Sequence, residues 1–298
     1  MSHSHQHDHV HDHSSGNIRV AFFLNLGFTI IEIIGGILTN SVAILSDAIH
    51  DLGDSLSLGL AWYLQNLSHK GRTKRFTYGF KRFSLLGAII TSMVLIVGSV
   101  IILYEAIPRL SHPEPANSLG MIGLAVLGVL INGAAVLRTR SGASINEQVV
   151  SWHLLEDVLG WVAVLLGALV MYFFDLPIID PILSIAITLF VLYNVVLRLI
   201  KAGHIILQAA PEQVDIDAVK EKLKGIGAVE NIHHTHLWSL DGNYHIVTVH
   251  AGMDGQTRLQ ELAPIKKKIR QELHDIGIEH VTIEFESLSE NCKAQVDF

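Results

Sequence analysis

Long apolar runs separated by short polar connections fill the first two-thirds of the chain. A run of about 20 mostly apolar residues is long enough to cross the roughly 30 Å hydrocarbon core of a bilayer as an α-helix. Six such runs occur, at residues 18–38, 42–66, 83–107, 117–137, 148–174 and 180–202. The pattern predicts an α-helical membrane protein whose six transmembrane helices occupy residues 18–203.

The chain after Pro211 has a different pattern, typical of a small soluble domain. One amphipathic helical segment is followed by two strand segments, which Asp241, Gly242 and Asn243 join as a hairpin turn. A second helical segment and a third strand complete the order αββαβ. Residues 211–288 are therefore predicted to form a ferredoxin-like, metallochaperone-like α+β domain with both helices on one face of the sheet, followed by a C-terminal tail at residues 289–298.

Composition agrees with a membrane protein and excludes other classes. Hydrophobic residues make up 50% of the chain and charged residues only 16%, whereas soluble domains carry about 25% charged residues. The formal net charge of −7 argues against nucleic-acid binding, which needs a concentrated basic surface. Cys292 is the single cysteine, so an intrachain disulfide is excluded.

Histidines alternate with serine, glutamine and aspartate at the start of the chain. The tract lacks the basic and apolar regions of a signal peptide, so we expect the first predicted helix to direct membrane insertion. Its polar composition predicts a disordered cytoplasmic tail over residues 1–17. Two interpretations stay open, loose capture of metal near the pore and a dispensable tail. The histidines are His3, His5, His7, His9, His11 and His13.

The distribution of lysine and arginine predicts the orientation. Short cytoplasmic loops are enriched in these residues, and alternate connections of this chain carry nearly all of them. The opposite connections hold Arg109 alone among basic residues. We therefore expect both termini in the cytoplasm. The expected location is a bacterial inner (plasma) membrane. The basic residues of the second connection are Lys70, Arg72, Lys74, Arg75, Lys81 and Arg82.

Two predicted helices carry the same pair of metal-ligating residue types. The second run contains His50 and Asp54, and the fifth contains His153 and Asp157. Each pair is spaced i, i+4, so both side chains project from one face of a helix, about 6 Å apart along the axis. Two such faces opposed offer two imidazoles and two carboxylates to one ion. That donor set suits tetrahedral zinc.

The cost of burying charge makes these pairs informative. A carboxylate at the centre of a spanning helix costs roughly 2.5–3.5 kcal/mol even on insertion scales, and such groups normally face a bundle interior or a water-filled cavity. The alternative is that the pairs only bond helices together or lie at a shallower depth. We interpret Asp47, Asp51 and Glu156 as groups that surround the site or its entrance. The side chains that either line the path or bond helix to helix are Asn25, Glu32 and Asn132.

Histidine also offers a way to couple metal release to protons. An imidazole binds metal only when neutral, so zinc and protons compete for it. Its unperturbed pKa near 6.5 lies within reach of physiological pH. The sequence therefore favours metal/proton exchange over a channel.

A second group of histidines lies in the predicted soluble domain. Residues at i, i+2 share a face of a strand, so His234 and His236 are expected to face together and His233 to face away. The alternative is a set of solvent-exposed strand histidines without a ligand. The group comprises His233, His234, His236, His245, His250 and His280, with Glu284 and Glu286 on the last strand.

With these features the chain resembles the cation diffusion facilitator family of metal transporters, in its zinc-exporting branch. The resemblance rests on the runs SVAILSDAIHDLGDSLSL, SWHLLEDVLGW, TYGFKR and NIHHTHLWSL, and it covers nearly the whole chain. It implies a homodimer that exports zinc from the cytoplasm in exchange for protons. It also implies that the tail domain binds metal and contributes to dimerisation. The implied transport ligands are His50, Asp54, His153 and Asp157, and the implied tail ligands are His233, His250 and Glu284.

Two positions depart from the family pattern. Ser84 stands where members often have an acidic residue, and only His69 is present where some members build a metal site in the second connection. We therefore expect no metal site in that connection. Cadmium, cobalt, nickel and iron stay open as substrates beside zinc, because divalent affinities overlap at sites of this kind.

Two other classes of function compete with a transporter. An intramembrane metalloenzyme needs a nucleophile or an activated water beside the metal, but the chain contains no HExxH, no GxSxG and no multiple-histidine boxes. A metal-sensing membrane scaffold has no need of buried carboxylates. Transport is therefore the favoured function, and we predict that the protein is not an enzyme.

Overall fold

Six long helices form the first part of the molecule. The computed structural model describes residues 12–68, 72–139 and 145–290. Each predicted apolar run coincides with one helix to within a few residues, except that the first helix begins at Asp12, inside the stretch expected to be disordered. The helices are α1 (Asp12–Thr39), α2 (Val42–Ser68), α3 (Phe83–Ser111), α4 (Ser118–Thr139), α5 (Ile145–Phe174) and α6 (Ile179–Ile206).

The polarity of the helical part is opposite to that of a soluble protein. Among the described residues, five helices are long and apolar enough to cross a membrane, and only α2 is missing from that set. It carries Asp47, Asp51 and Asp54, which lower its hydropathy. Large apolar side chains lie on the outside, such as Leu38, whereas Glu32 is fully buried. This arrangement, with apolar groups outside and polar groups inside, fits a lipid environment.

Two helix pairs are packed closely, α1 against α2 and α4 against α5. The second pair meets at Trp161 of α5, which is fully buried. The Trp161 ring also contacts the ring of Phe28 on α1, edge to face, at a centroid distance of 5.9 Å. A β-carbon on Gly128 of α4 would overlap the indole ring of Trp161. The absence of a side chain at Gly128 is therefore what lets α4 approach α5 so closely.

Helix α2 is held at its start by a carboxylate from α6. Asp180 accepts hydrogen bonds from the Ser41 hydroxyl at 2.6 Å and from the Val42 backbone N–H at 2.8 Å. One turn further along, the hydroxyls of Ser46 and Thr188 lie 2.7 Å apart. All five residues are buried. Because the first N–H groups of a helix have no partner within it, a buried carboxylate there satisfies them and fixes the position of α2.

The tail domain has the predicted order αββαβ. Its sheet runs β1-β2-β3, with β1 antiparallel to β2 and β2 parallel to β3. Side chains from both helices pack with alternate residues of β2 in one hydrophobic core. The predicted open-faced sandwich is therefore confirmed. The elements are α7 (Ile216–Lys224), β1 (Asn231–Ser239), β2 (His245–Met253), α8 (Leu259–His274) and β3 (Ile278–Ser287).

The chain divides into two compact units, residues 1–69 with 87–199 and residues 70–86 with 200–298. The second unit therefore combines the tail domain with the basic second connection. The Tyr78 ring packs on the His280 ring at a centroid distance of 5.4 Å. The Lys81 ammonium lies 4.1 Å from the centre of the Tyr244 ring. These contacts hold the second connection against the sheet domain.

The close approach at Gly128 predicts a stability difference between two glycines of α4. Gly128→Ala is expected to destabilise the protein by about 1–3 kcal/mol, because the added methyl group displaces a fully buried indole ring. Gly123→Ala is the control, since a β-carbon there meets nothing within 4 Å and alanine is the better helix former. The measurement is the thermal unfolding midpoint of each purified variant in detergent. Equal midpoints for both variants would contradict this packing.

Candidate metal centres

Three of the predicted transport ligands meet between α2 and α5. His50 Nε2 lies 3.6 Å from Asp54 Oδ2 and 3.7 Å from Asp157 Oδ1. One ligand atom from each side chain lies within 4.8 Å of the other two. The pair on α2 follows from the i, i+4 spacing, and the packing of α5 against α2 brings Asp157 to the same point.

The spacing of these atoms suits an ion between them. A tetrahedral zinc ion has ligand distances of about 2.0–2.2 Å, which places neighbouring ligand atoms about 3.3 Å apart. The observed distances of 3.6 and 3.7 Å are slightly longer, and both exceed the length of a hydrogen bond. The side chains are also partly exposed, between 12% and 21%. An ion can therefore reach these side chains.

The fourth predicted ligand, His153, lies in α5 one turn before Asp157. Its side chain falls outside the described residues, so the geometry around it stays a prediction. The helical backbone nevertheless runs through both positions. The i, i+4 relation of His153 to Asp157 therefore puts the two residues on one face of α5.

Further carboxyl groups lie next to this site. Glu32 of α1 is 1% exposed, and Asp47 and Asp51 of α2 are each 6% exposed. The Glu32 carboxyl group lies beside that of Asp51. Glu156 is on the outer side of α5 and is exposed. The structure thus gathers the acidic residues of α2 and leaves Glu156 outside the group.

Two asparagines were expected either to line the path or to bond helices together. The Asn25 amide donates hydrogen bonds to the Asp51 carbonyl and to the Ser55 hydroxyl, both at 3.0 Å, and so bonds α1 to α2. Asn132 is half-buried on α4, and its amide nitrogen has no hydrogen-bond partner among the described residues.

The tail domain brings together a second group, His233, His250 and Glu286. Glu286 bridges the two histidines, since one oxygen lies 3.0 Å from His233 Nε2 and the other 2.5 Å from His250 Nδ1. Its side chain is 9% exposed. Glu284 contacts the remaining nitrogen of His250 at 3.3 Å, but its side chain is 68% exposed. The buried position therefore belongs to Glu286, and Glu284 lies at the edge of the group.

The predicted facing of the β1 histidines holds for His234 and His236, whose rings lie 4.6 Å apart, but it is wrong for His233, because β1 contains a bulge. The register with β2 shifts between His233 and His236, and His234 has a positive φ of 49°. The His234 ring stacks on the His250 ring at 4.6 Å, and the His233 ring lies 5.5 Å from it. Simple alternation along the strand therefore does not apply, and His233 and His234 both reach His250.

The sequence already indicates both candidate carboxylates of the tail site, Glu284 and Glu286. Glu284 and Glu286 are spaced i, i+2 and share a face of β3, so the pattern alone indicates both. Pairing in the sheet places Glu284 opposite His250. Glu286 was therefore recognisable as a member of the histidine group, but its bridging position required the structure.

Comparison with known proteins matches both parts of the chain. Residues 18–207 match the cation efflux transmembrane domain, and residues 211–288 match the cytoplasmic domain of cation efflux proteins. The chain is 36% identical to the cadmium, cobalt and zinc/H(+)-K(+) antiporter of Bacillus subtilis, over 91% of this chain and 89% of that protein.

Other relatives are similar over comparable lengths. The zinc transporter ZitB of Escherichia coli is 32% identical over 96% of this chain and 93% of its own length. The metal cation efflux system protein CzcD of Cupriavidus metallidurans is 32% identical over 95% of this chain and 89% of its own length. Matches to both domains, together with relatives aligned over nearly their whole length, show that the chain belongs to the cation efflux, or cation diffusion facilitator, family of membrane metal transporters.

Proposed function

We propose that this cation efflux protein exports zinc from the cytoplasm in exchange for protons, through a tetrahedral site formed by His50, Asp54, His153 and Asp157. The observation that carries the proposal is the meeting of His50, Asp54 and Asp157 from two separate helices at distances that suit one ion. Since His153 shares a helix face with Asp157, it is the natural fourth ligand.

Charge balance supports this assignment. Two carboxylates and two neutral imidazoles carry a total charge of −2, which offsets a divalent cation inside the bilayer. The mixed nitrogen and oxygen donors favour zinc and also accept cadmium, cobalt, nickel or iron. The relatives named above carry zinc, cadmium and cobalt in their names, which supports the same range of substrates for this chain.

Protons are the proposed counter-ion because the site contains histidine. A proton on an imidazole removes a zinc ligand and adds a repulsive positive charge. Protons that arrive from the outside would therefore release zinc outward. The site without zinc could then face the cytoplasm again. The name of the Bacillus subtilis relative includes both H(+) and K(+), which supports exchange with a monovalent cation.

The arrangement of the second unit supports cytoplasmic termini. The basic second connection packs on the tail domain through Tyr78 and Lys81. A loop rich in lysine and arginine belongs on the cytoplasmic side, so the tail domain belongs there as well. The relatives are bacterial, which supports the inner membrane as the location. The match to the family's cytoplasmic domain supports a homodimer joined in part by this domain.

We also propose that the tail domain binds zinc at His233 and His250, with Glu286 as the carboxylate ligand and Glu284 at the edge. The three residues are already grouped within ligand distance of one another. The N-terminal histidine tract lies outside the described residues except at its end, so its role stays a prediction.

Loss of one transport ligand should abolish transport. Asp157→Asn keeps the size of the side chain but removes the charge, and we expect zinc flux to fall more than about 100-fold, since even residues that only support a metal ligand contribute about 10–100-fold. The measurement is zinc uptake into proteoliposomes loaded with a zinc-sensitive dye.

Asp175→Asn is the matched control for this experiment. Asp175 directly follows α5, is exposed and has a positive φ of 51°, which asparagine adopts readily. Its flux should equal that of the wild type. Normal flux in Asp157→Asn would contradict the proposed site.

Proton exchange predicts a dependence on the pH gradient. Acidifying the vesicle lumen from about pH 7.5 to about pH 6, across the ordinary titration range of histidine, should accelerate zinc uptake at constant external pH. Uptake should rise and not fall because protons compete with zinc for the site, which lowers zinc affinity on the side where zinc is released. A protonophore that collapses the gradient should remove the acceleration. Uptake that ignores the gradient would rule out proton exchange.

The two tail-domain glutamates should differ in their effect on zinc binding. Glu286→Gln is expected to lower zinc affinity of the tail site about 10-fold or more, because it replaces the carboxylate that contacts both histidines. Glu284→Gln should change the affinity by less than about threefold, since exposed ion pairs contribute little. Both variants are made in full-length protein that also carries Asp157→Asn. Binding is measured by competition with a chelating dye, and equal losses would contradict the assignment.

A further inference from the structure

The second connection, between α2 and α3, concentrates positive charge in a chain whose formal net charge is −7. No aspartate or glutamate occurs between Asp54 and Glu105. Within the described residues, the Lys81 ammonium lies over the Tyr244 ring, whereas four other cations of the segment are exposed and form no ion pair with a described carboxylate. These four exposed cations are Arg72, Lys74, Arg75 and Arg82.

Three aromatic rings pack together beside these charges. The ring centroid of Phe76 lies 5.0 Å from that of Phe80 and 5.5 Å from that of Phe83, and the last two are 5.4 Å apart. Phe76 is 37% exposed, and the Arg75 guanidinium lies 5.9 Å from the centre of its ring. Lysine and arginine next to exposed apolar rings are typical of segments that bind at the boundary between water and lipid.

Hydrogen bonds within the segment hold it in a defined shape. The backbone N–H of Thr73 donates to the Phe76 carbonyl at 3.1 Å, and the backbone N–H of Phe76 donates to the Thr73 hydroxyl at 3.0 Å. The Gly79 N–H also donates to the Phe76 carbonyl, and Gly79 has a φ of 80°, which glycine adopts without strain. The exposed cations are therefore presented by a folded segment, which loses less conformational entropy on binding a ligand than a flexible loop does.

The segment lies within reach of the membrane surface because it joins two membrane helices. Residues 69–82 connect the end of α2 at Ser68 to the start of α3 at Phe83, inside the transmembrane domain. Arg82 directly precedes α3. At an anionic membrane surface, each nearby lysine or arginine strengthens the attraction about fivefold. The charge of the segment is thus opposite to that of acidic lipid headgroups at the depth where those headgroups lie.

We infer that the second connection is a binding surface for anionic phospholipids. The four exposed cations contact the lipid phosphates, and the Phe76 ring lies against the acyl carbons nearest the headgroup. This role goes beyond metal export and does not depend on which ions the protein carries. It also differs from the setting of topology by basic loops, which acts during insertion and requires no bound lipid.

The test measures which lipids contact the segment in the full-length protein. The protein is placed in phosphatidylcholine nanodiscs that contain a small fraction of photoreactive phosphatidylglycerol or, in a parallel sample, of photoreactive phosphatidylcholine with the same acyl chains. After illumination and digestion with pepsin, whose cleavage does not depend on lysine or arginine, mass spectrometry quantifies the label in residues 72–83.

The test variant and its control remove the same amount of charge from two places. The control residues lie in α8, are likewise exposed and are distant in sequence from the membrane helices. The test variant combines Arg72→Gln, Lys74→Gln and Arg75→Gln. The control combines Lys267→Gln, Lys268→Gln and Arg270→Gln.

In the wild type we expect phosphatidylglycerol to label the segment about fivefold or more over phosphatidylcholine. The test variant should reduce this preference to within about twofold of equal labelling, and the control should keep the wild-type preference. Inorganic phosphate added at constant ionic strength should leave the labelling unchanged, because the ligand is a lipid and not free phosphate.

Equal labelling by the two lipids in the wild type would overturn the inference, as would an equal loss in the test variant and the control. Displacement of the lipid by inorganic phosphate would overturn it as well. If the test variant fails to fold, as judged by gel filtration, Arg72→Gln with Lys74→Gln decides the question, since this pair leaves the contact of Arg75 with Phe76 intact. That double variant should lower the preference about threefold or more, and an unchanged preference would contradict the proposed surface.

Discussion

A charge in the hydrocarbon core must be compensated locally, and the helical part of this protein is arranged around that requirement. Helix α2 brings Asp47, Asp51 and Asp54 into the bundle, at a cost of roughly 2.5–3.5 kcal/mol for each carboxylate on insertion scales. The three residues recur at i, i+4 and i+7, so they project from one side of α2, and that side has to be turned away from the lipid. Helices α1, α3, α5 and α6 all pack against α2, and large exposed apolar side chains lie on the outside of the bundle.

The groups that compensate the buried carboxylates differ along α2. These differences distinguish carboxylates that hold the helices together from carboxylates that could bind an ion. At the helix start, Asp180 receives three hydrogen bonds from the Ser41 hydroxyl and from the Val42 and Ala43 backbone. That carboxylate is satisfied by protein donors and so needs no ion. The carboxylates further along α2 face imidazole or other carboxylates instead. Only those groups would gain by binding a cation, so the proposed transport site lies further along α2 than the contact with Asp180.

The helices and the pairing of His50 with Asp54 could be predicted from the sequence, because both depend on patterns within one helix. Runs of about 20 apolar residues fixed the helices, and i, i+4 spacing placed His50 beside Asp54. The contact of His50 with Asp157 depends on how α5 packs against α2, which no local pattern contains. The burial of Glu32 against Asp51 is also a packing result. Sequence alone left Glu32 as either a path residue or an interhelical hydrogen bond.

The tail domain illustrates a different limit. Period-two alternation predicted which β1 histidines face together, but it assumes an unbroken strand. The bulge at His234 adds one residue and reverses the facing of those before it. A positive φ at a residue with a side chain is uncommon, so the pattern gave no reason to expect it. The choice between Glu284 and Glu286 likewise depends on which oxygens reach both histidines across the sheet.

The two candidate metal centres differ in the distances between their ligand atoms. At the transport site His50 lies 3.6 and 3.7 Å from its carboxylate neighbours, too far for those pairs to be hydrogen bonded. In the tail, Glu286 is already bonded to His233 at 3.0 Å and to His250 at 2.5 Å, and hydrogen bonds to a charged group contribute about 1.5–3 kcal/mol each. Zinc has to replace those bonds before it gains its own. An ion that binds at the proposed tail site would therefore rearrange the hydrogen bonds of Glu286, which connect β3 to a histidine on each of the other two strands.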